Sequence, residues 1–273
     1  TAGLEAACTA AEVGCNTFLL EKSNELGGLA SLISKIPAKN RLADFPHYLM
    51  HRAEQLDNLY IFKNTEGTPE NIRKFHPNII VSSTGSAPLL PPIAGLKDRI
   101  DNEKHNIYSI LGMISHINDF PKDLEGKKVV VVGGGAVGLD VVEFFADRNA
   151  DIYIVEMMDQ IGRDLDPVSK NDTKTMMKKH NVHQLTKTAL LEVKDSSFLV
   201  RGDGEPYELP FEYGFVCLGM RAQGQLYQSL TEEFSSEDVE IMNIGDSQRA
   251  RRIIDGTQEG RNILTILEQK GYL

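Results

Sequence analysis

The chain has 273 residues, 41% hydrophobic and 25% charged, the balance of a globular protein with room for two cores. Its formal net charge of -10 excludes a general nucleic-acid binder, which needs a positive footprint, and a polybasic membrane surface. No apolar stretch approaches the roughly 20 residues of a membrane span, and the three dispersed cysteines, Cys8, Cys15 and Cys217, form neither a CxxC pair nor a four-thiolate cluster, so the expected setting is the cytoplasm, without a disulfide framework.

In chain order, the first element is a helix over about Gly3 to Glu12, and the second is a short strand, "NTFLL", that ends at Glu21. Thr68 followed by Pro69 reads as a helix start with proline just inside it. Residues 101–123 read as a polar linker with one short helix. From Lys127 a run of four valines, Val129 to Val132, suits a central parallel strand buried on both faces. Gly133, Gly135 and Gly138 follow as G-x-G-x-x-G, and the apolar residues Val141, Val142 and Phe145 then recur at helical spacing. Asn149 stands where that helix should stop, since asparagine tolerates the left-handed conformation. "DIYIV" is a second strand, ending in Glu156. Beyond it, "VHQLTKTALLEVKDSSFLVRGDGEPYELPF" reads as a meander of short strands separated by turn residues.

The strand, glycine turn, helix, strand and terminal acid together make a dinucleotide site. Gly133 permits the tight turn, Gly135 lets the backbone approach a pyrophosphate, and Gly138 lets helix and strand pack closely. The helix start, at Ala136 and Val137, offers N–H groups and a positive dipole end to the phosphates. Glu156 accepts the adenosine ribose hydroxyls, and Met157 and Met158 bring no charge for a 2'-phosphate, so NAD is expected over NADP. The opening of the chain repeats this register. Gly3 precedes Glu21 by 18 positions, as Gly138 precedes Glu156, and Gly14 and Asn149 each lie seven before the acid. Gly3 is therefore the third glycine of a second fingerprint. Its first strand and first two glycines are expected upstream of Thr1, leaving the first sheet without a central strand.

Other candidates read as ordinary surface. His47 and His51 sit four apart on a helix, and His180 and His183 flank a helix end, in each case without a third ligand at metal spacing, so no metal is expected. "MMKKH", from Met176, is an amphipathic helix end. Arg249, Arg251 and Arg252 follow Asp246 and form a salt-bridged face, or pair with phosphates or a partner domain. No residue stands out as an acid–base catalyst, which suits hydride transfer between cofactors.

These residues resemble the two-dinucleotide-domain flavoprotein reductases of the glutathione reductase-like class. More narrowly, nearly the whole chain resembles the C-terminal half of the 2,4-dienoyl-CoA reductase, enoate reductase and trimethylamine dehydrogenase family. The resemblance is carried by "EKSNELGGLA", "ISKIPAKNRLADFPHYL", "HPNIIVSSTGSAPLLPPIAG", "GFVCLGMRA" and "VEIMNIGDSQRARRIIDGTQEGRNI". It implies an α/β fold of two nested Rossmann-like three-layer domains, the first lacking its N-terminal strand. Residues 1–100 and 214–273 would form the FAD-binding-type domain, and residues 124–213 the inserted NAD(P)-binding-type domain. For FAD it implies Gly3, Glu21, Lys22, Gly27, Gly28, Thr84, Gly85, Gly245 and Asp246. For NAD it implies Gly133, Gly135, Ala136, Val137, Gly138, Glu156 and Gly219.

The expected activity is that of an NADH-to-FAD hydride-accepting module of an enoate or 2,4-dienoyl-CoA reductase-like enzyme. The resemblance further implies a 4Fe-4S cluster and FMN in an N-terminal barrel of the same enzyme. Two alternatives stay open: a structural nucleotide-binding module that does no redox chemistry, and a stand-alone NADH:rubredoxin or ferredoxin-type reductase.

Overall fold

The computed structural model describes residues 1–273, and the chain divides into two compact units. The first comprises residues 1–35, 39–87 and 221–273, and the second residues 36–38 and 88–220. The second unit is thus nested between the two main parts of the first. The divisions at 87/88 and 220/221 make residues 88–123 part of the second unit.

Helix α1 (Ala2–Glu12) is built from alanines and a leucine that are strong helix formers, and its small side chains are nearly all buried. There follow β1 (Thr17–Leu20), α2 (Gly28–Ile33), a 3-10 stretch (Pro37–Ala43), α3 (Asp44–Glu54), β2 (Leu59–Phe62), α4 (Pro69–Arg73), β3 (Ile79–Ser82) and β4 (Ser86–Pro88). Thr68 Oγ1 caps α4 by accepting the Asn71 N–H at 3.2 Å, with Pro69 in the first turn, as its sequence predicts.

The second unit begins with α5 (Leu96–Arg99), β5 (Ile107–Tyr108) and α6 (Ile110–Ser115). The stretch read as a linker therefore contributes a strand as well as the expected helix. β6 (Lys128–Val132), α7 (Ala136–Ala146) and β7 (Asp151–Val155) fall where the valine run, glycine spacing and "DIYIV" place them, and Asn149 takes a left-handed φ of 59° between helix and strand. Then come α8 (Pro167–Lys179), β8 (His183–Leu185), β9 (Ala189–Val193), β10 (Ser197–Arg201), β11 (Tyr207–Pro210), β12 (Tyr213–Val216) and β13 (Met220–Ala222). The chain returns to the first unit with α9 (Gln225–Glu233), β14 (Glu240–Asn243), a 3-10 turn (Gly245–Ser247), α10 (Ile253–Arg261) and α11 (Ile263–Gln269).

The second unit holds a five-stranded parallel sheet in the order β5-β12-β6-β7-β8, and an antiparallel sheet β11-β10-β9. β8 differs from expectation: it joins the parallel sheet beside β7 instead of opening the meander, because α8 supplies the crossover that a parallel pairing requires. The valines of β6 are buried on both faces. Val130 and Val132 pack into the cluster with Phe198, Val200 and Leu209 of the antiparallel sheet. Behind the other face lies an aromatic group in which Phe145 sits 4.9 Å from Phe215 and 5.2 Å from Phe120. Each buried valine contributes about 1.5–3 kcal/mol, which explains why an uninterrupted branched run, rather than an alternating one, is needed at the centre.

In the first unit the four longer parallel strands form two separate pairs, β1 with β2 and β3 with β14. α1 serves both. Its Leu4, Ala7, Cys8 and Ala11 pack with Leu49, Ala53 and Leu59, and its Ala10 packs with Ile263, Leu267, Val81 and Met242. One charge is built into this helix: the Glu5 side chain is 2% exposed, and its Oε1 accepts from Arg52 Nη1 at 3.0 Å and Arg261 Nε at 2.9 Å. No helix is long and apolar enough to cross a membrane.

The cysteines are packing residues. Burial pushes the Cys8 thiol up to about 11 and the Cys217 thiol up to about 12, so neither forms a thiolate near neutral pH. The expected outcome of native alkylation at pH 8 is that Cys8 and Cys217 stay unmodified and that all three cysteines react in denaturant. Modification of Cys217 in the native protein, read by peptide mass, would contradict this packing.

Candidate dinucleotide sites

In the second unit the chain turns sharply after β6. Gly133 has φ 109° and donates its N–H to Val155 O at 2.8 Å. A Cβ on Gly133 would lie 2.2 Å from Cys217 O, and one on Gly138 would lie 1.9 Å from Gly133 O, so both positions are closed by backbone. Gly135 is different: a Cβ there meets nothing within 4 Å, and its φ of -79° suits any residue. Neither packing nor backbone conformation within the chain therefore requires glycine here. Gly135 is the N-cap of α7, where no side chain caps the helix, and Gly135 and Ala136 are exposed with Val137 half-buried behind them. An uncapped eleven-residue helix with open space over its N-cap fits a phosphate.

Glu156 follows β7 directly and is held by two backbone groups. Oε2 accepts the Gly134 N–H at 2.6 Å, and Oε1 accepts the Met158 N–H at 2.7 Å. These bonds fix the carboxylate beside the glycine turn and leave lone pairs for hydroxyl donors. Gly134 was not among the residues read from the sequence, yet a Cβ on it would sit 3.0 Å from Glu156 Oε2. The run of three glycines was the available signal. The Gly162 N–H returns to Gly134 O at 2.7 Å, closing the loop that carries Met157, 68% exposed, past the turn. Gly219 lies between β12 and β13, with open space at its Cβ position and its carbonyl accepting the Leu89 N–H at 2.9 Å.

In the first unit, Gly3 lies in the first turn of α1, where no side chain caps the helix, and a Cβ on it would fall 2.1 Å from Ser83 Oγ. A Cβ on Gly245 would fall 2.8 Å from Ala2 Cβ, which places the Gly245–Ser247 turn at the same helix start. Asp246 Oδ2 accepts from Ser86 Oγ at 3.0 Å, and Oδ1 accepts the Arg251 N–H at 3.0 Å. The carboxylates of Glu21 and Asp246 both lie within electrostatic reach of the Thr1 nitrogen, at the opening of α1. Glu21 repeats the local pattern of Glu156: its Oε1 accepts the N–H of the residue two further on, Ser23, at 2.8 Å, and also the Ser23 hydroxyl at 2.9 Å.

Gly3, Glu21, Gly85, Gly245 and Asp246 are thus gathered near one helix end, with Gly85 joined through Ser86 and through its carbonyl, which accepts Gln223 N–H at 2.9 Å. Thr84 donates its hydroxyl to Gln223 O. Gly27 and Gly28 serve the entry to α2, where a Cβ on Gly27 would fall 2.0 Å from Ser31 Oγ. Lys22 is turned to Glu66 at 3.0 Å in an exposed pair. Ser83, Ser86 and Glu259, whose carboxylate accepts the Gly245 N–H at 2.6 Å, escaped the sequence reading. His47 and His51 lie exposed on α3, and His183 stacks on Tyr153 at 4.2 Å and bonds Asp151 at 3.1 Å.

A family model for pyridine nucleotide-disulphide oxidoreductases matches residues 1–242. The chain is 26% identical over 260 residues to an NADH oxidase of Thermoanaerobacter brockii, covering 95% of this chain and 38% of that protein. It is 27% identical to a metal reductase of Desulforamulus reducens, covering 96% and 42% respectively, and 26% identical to a bilirubin reductase of Mediterraneibacter gnavus, covering 95% and 38%. The chain therefore spans about two-fifths of the length of these curated relatives. Among solved structures, a 2-naphthoyl-CoA reductase aligns with a TM-score of 0.81 at 23% identity, over 96% of this chain and 38% of that one. A thioredoxin reductase of T. acidophilum aligns with a TM-score of 0.70 at 16% identity, over 100% of this chain and 96% of that one. At these identities the structural likeness speaks for the fold alone.

Proposed function

The chain belongs to the pyridine nucleotide-disulphide oxidoreductase family, and from that premise we propose that it is the NAD(H)- and FAD-binding electron-input part of a flavin oxidoreductase. The observation that carries the reading is the pinned carboxylate of Glu156 beside the uncapped start of α7. Gly133, Gly135, Ala136, Val137 and Gly138 would hold the NAD pyrophosphate, Glu156 the adenosine ribose, and Gly219 leaves room at the return crossover. Gly3, Glu21, Gly85, Gly245 and Asp246 would hold FAD, with Lys22, Gly27, Gly28 and Thr84 flanking them. FAD, when bound, supplies the two-electron chemistry that takes hydride from reduced nicotinamide. The residues of the chain bind and orient, and none is placed as a proton donor or acceptor.

A 2'-phosphate would meet the Glu156 carboxylate at close range, so NADH is the expected donor. The names of the relatives differ in acceptor, which supports an input module whose acceptor is chosen elsewhere in a longer protein. That further part would be an N-terminal barrel with FMN and a 4Fe-4S cluster, acting on an enoate or enoyl-CoA double bond. The test is anaerobic addition of NADH to the flavin-loaded protein. Flavin absorbance should bleach with NADH, and with NADPH only at much higher concentration. A flavin that stays coloured with both would reject electron input and leave a structural nucleotide-binding module.

A further inference from the structure

We propose that Glu259 is the positioning residue for Asp246, an inference that rests on the proposed FAD site and assigns a role within it. Asp246 sits on the Gly245–Ser247 turn, whose first residue has φ +66°. Glycine adopts that conformation without penalty but is not confined to it, so something else must fix the turn. Glu259, fourteen residues on in α10, does so from both sides of Asp246. Its Oε2 accepts the Gly245 N–H at 2.6 Å, and its Oε1 accepts from Arg251 Nη2 at 2.5 Å. Arg251 in turn donates its backbone N–H to Asp246 Oδ1 at 3.0 Å and its Nε to Arg249 O at 3.2 Å. One carboxylate therefore anchors the residue before Asp246 and the arginine whose backbone orients it. Both anchors are charge-assisted bonds, the stronger class. The remaining Asp246 oxygen is held by Ser86 Oγ at 3.0 Å.

A purely structural role, docking α10 on α1, is carried by other residues. A Cβ on Gly256 would lie 3.3 Å from Ala2 Cβ, and one on Gly260 would lie 2.7 Å from Ala2 O, so the two helices meet directly through these glycines. The Glu259 side chain is 24% exposed, and its two oxygens go to the Gly245 N–H and to Arg251. Its loss should free the turn while leaving the helix pair packed.

The experiment compares wild type, Glu259→Ala and Glu259→Gln in the full chain. It measures FAD affinity by titration of the apoprotein, thermal midpoint, and amide hydrogen exchange across 243–252. In Glu259→Ala the FAD Kd should rise about tenfold or more, the effect of losing hydrogen bonds to a charged group. Exchange at Gly245 should accelerate with the melting temperature nearly unchanged. Glu259→Gln keeps a carbonyl acceptor for Gly245 and should restore the protection and most of the affinity. An alanine variant with wild-type exchange and wild-type Kd overturns the proposal, as does a loss of melting temperature that glutamine does not repair. A wild-type protein that binds no FAD overturns the nucleotide reading of the site, while the exchange data still decide whether Glu259 locks the turn.

Discussion

Arg52→Ala is expected to destabilise the first unit by about 3–5 kcal/mol, the cost of leaving a buried charge without its partner. Arg52 joins α3 to α1 at two points: its Nη1 holds Glu5 at 3.0 Å, and its Nε and Nη2 hold Glu12 at 2.6 and 2.9 Å. Without it, the buried Glu5 keeps as partners Arg261, a side chain 64% exposed to water, and the Thr9 hydroxyl at 3.4 Å. Arg261→Ala should cost no more than about 1 kcal/mol, because solvent screens that side of the pair. The hydrogen bond from Arg52 also holds the Glu12 carboxyl below its usual range. A depressed carboxylate contributes stability above its unfolded pKa of about 4.3 and loses it as pH falls through the folded value. The gap between Arg52→Ala and wild type should therefore be widest above that pH and narrow below it. Urea unfolding at pH 7 and pH 3 checks both statements. A difference under about 1 kcal/mol at pH 7 would remove the network from any account of this fold.

Gly138→Ala is expected to fail in folding and in binding together, whereas Gly135→Ala should fail in binding alone. At Gly138 the added methyl would press within 1.9 Å of Gly133 O, and neither backbone can give way without separating α7 from β6. A cost of about 1–3 kcal/mol is the ordinary range for such overpacking, and the turn should lose NADH binding with it. At Gly135 the methyl meets empty space at a permitted φ, so the melting temperature should hold. A rise of about tenfold or more in NADH Kd for Gly135→Ala then reports a clash with the ligand itself. Isothermal titration with NADH and a thermal melt of each variant make the comparison. Unchanged NADH affinity in Gly135→Ala would remove the pyrophosphate from this turn.

What could be read in the sequence was what repeats or has local grammar. The valine run, the glycine spacing, Asn149 and the terminal Glu156 each act within a few residues, so β6, α7 and β7 stand within a residue or two of their expected ends. The same register at Gly3 and Glu21 located α1 and β1. Partners far apart in the chain were not legible. Glu5 in a helix of alanines gives no sign of arginines 47 and 256 positions away. Ser86 meets Asp246 across 160 positions, and Lys22 is drawn off to Glu66. β8 was misread because "VHQL" has strand composition whichever sheet it joins; only the helix before it decides for the parallel one.

Residues 88–220 form one uninterrupted stretch, while the first unit needs residues 221–273 to finish its core, with Ile263 and Leu267 set against α1. During synthesis the inserted unit can collapse as soon as its own last strand leaves the ribosome. The earlier-made α1 must wait, half covered, for the C-terminal helices. The long separation between these partners also predicts slow closure of the first unit relative to the second. A nascent chain whose residue 220 has cleared the ribosome should thus already protect the valines of β6 from exchange, while the face of α1 that carries Ala10 stays uncovered until Ile263 and Leu267 arrive.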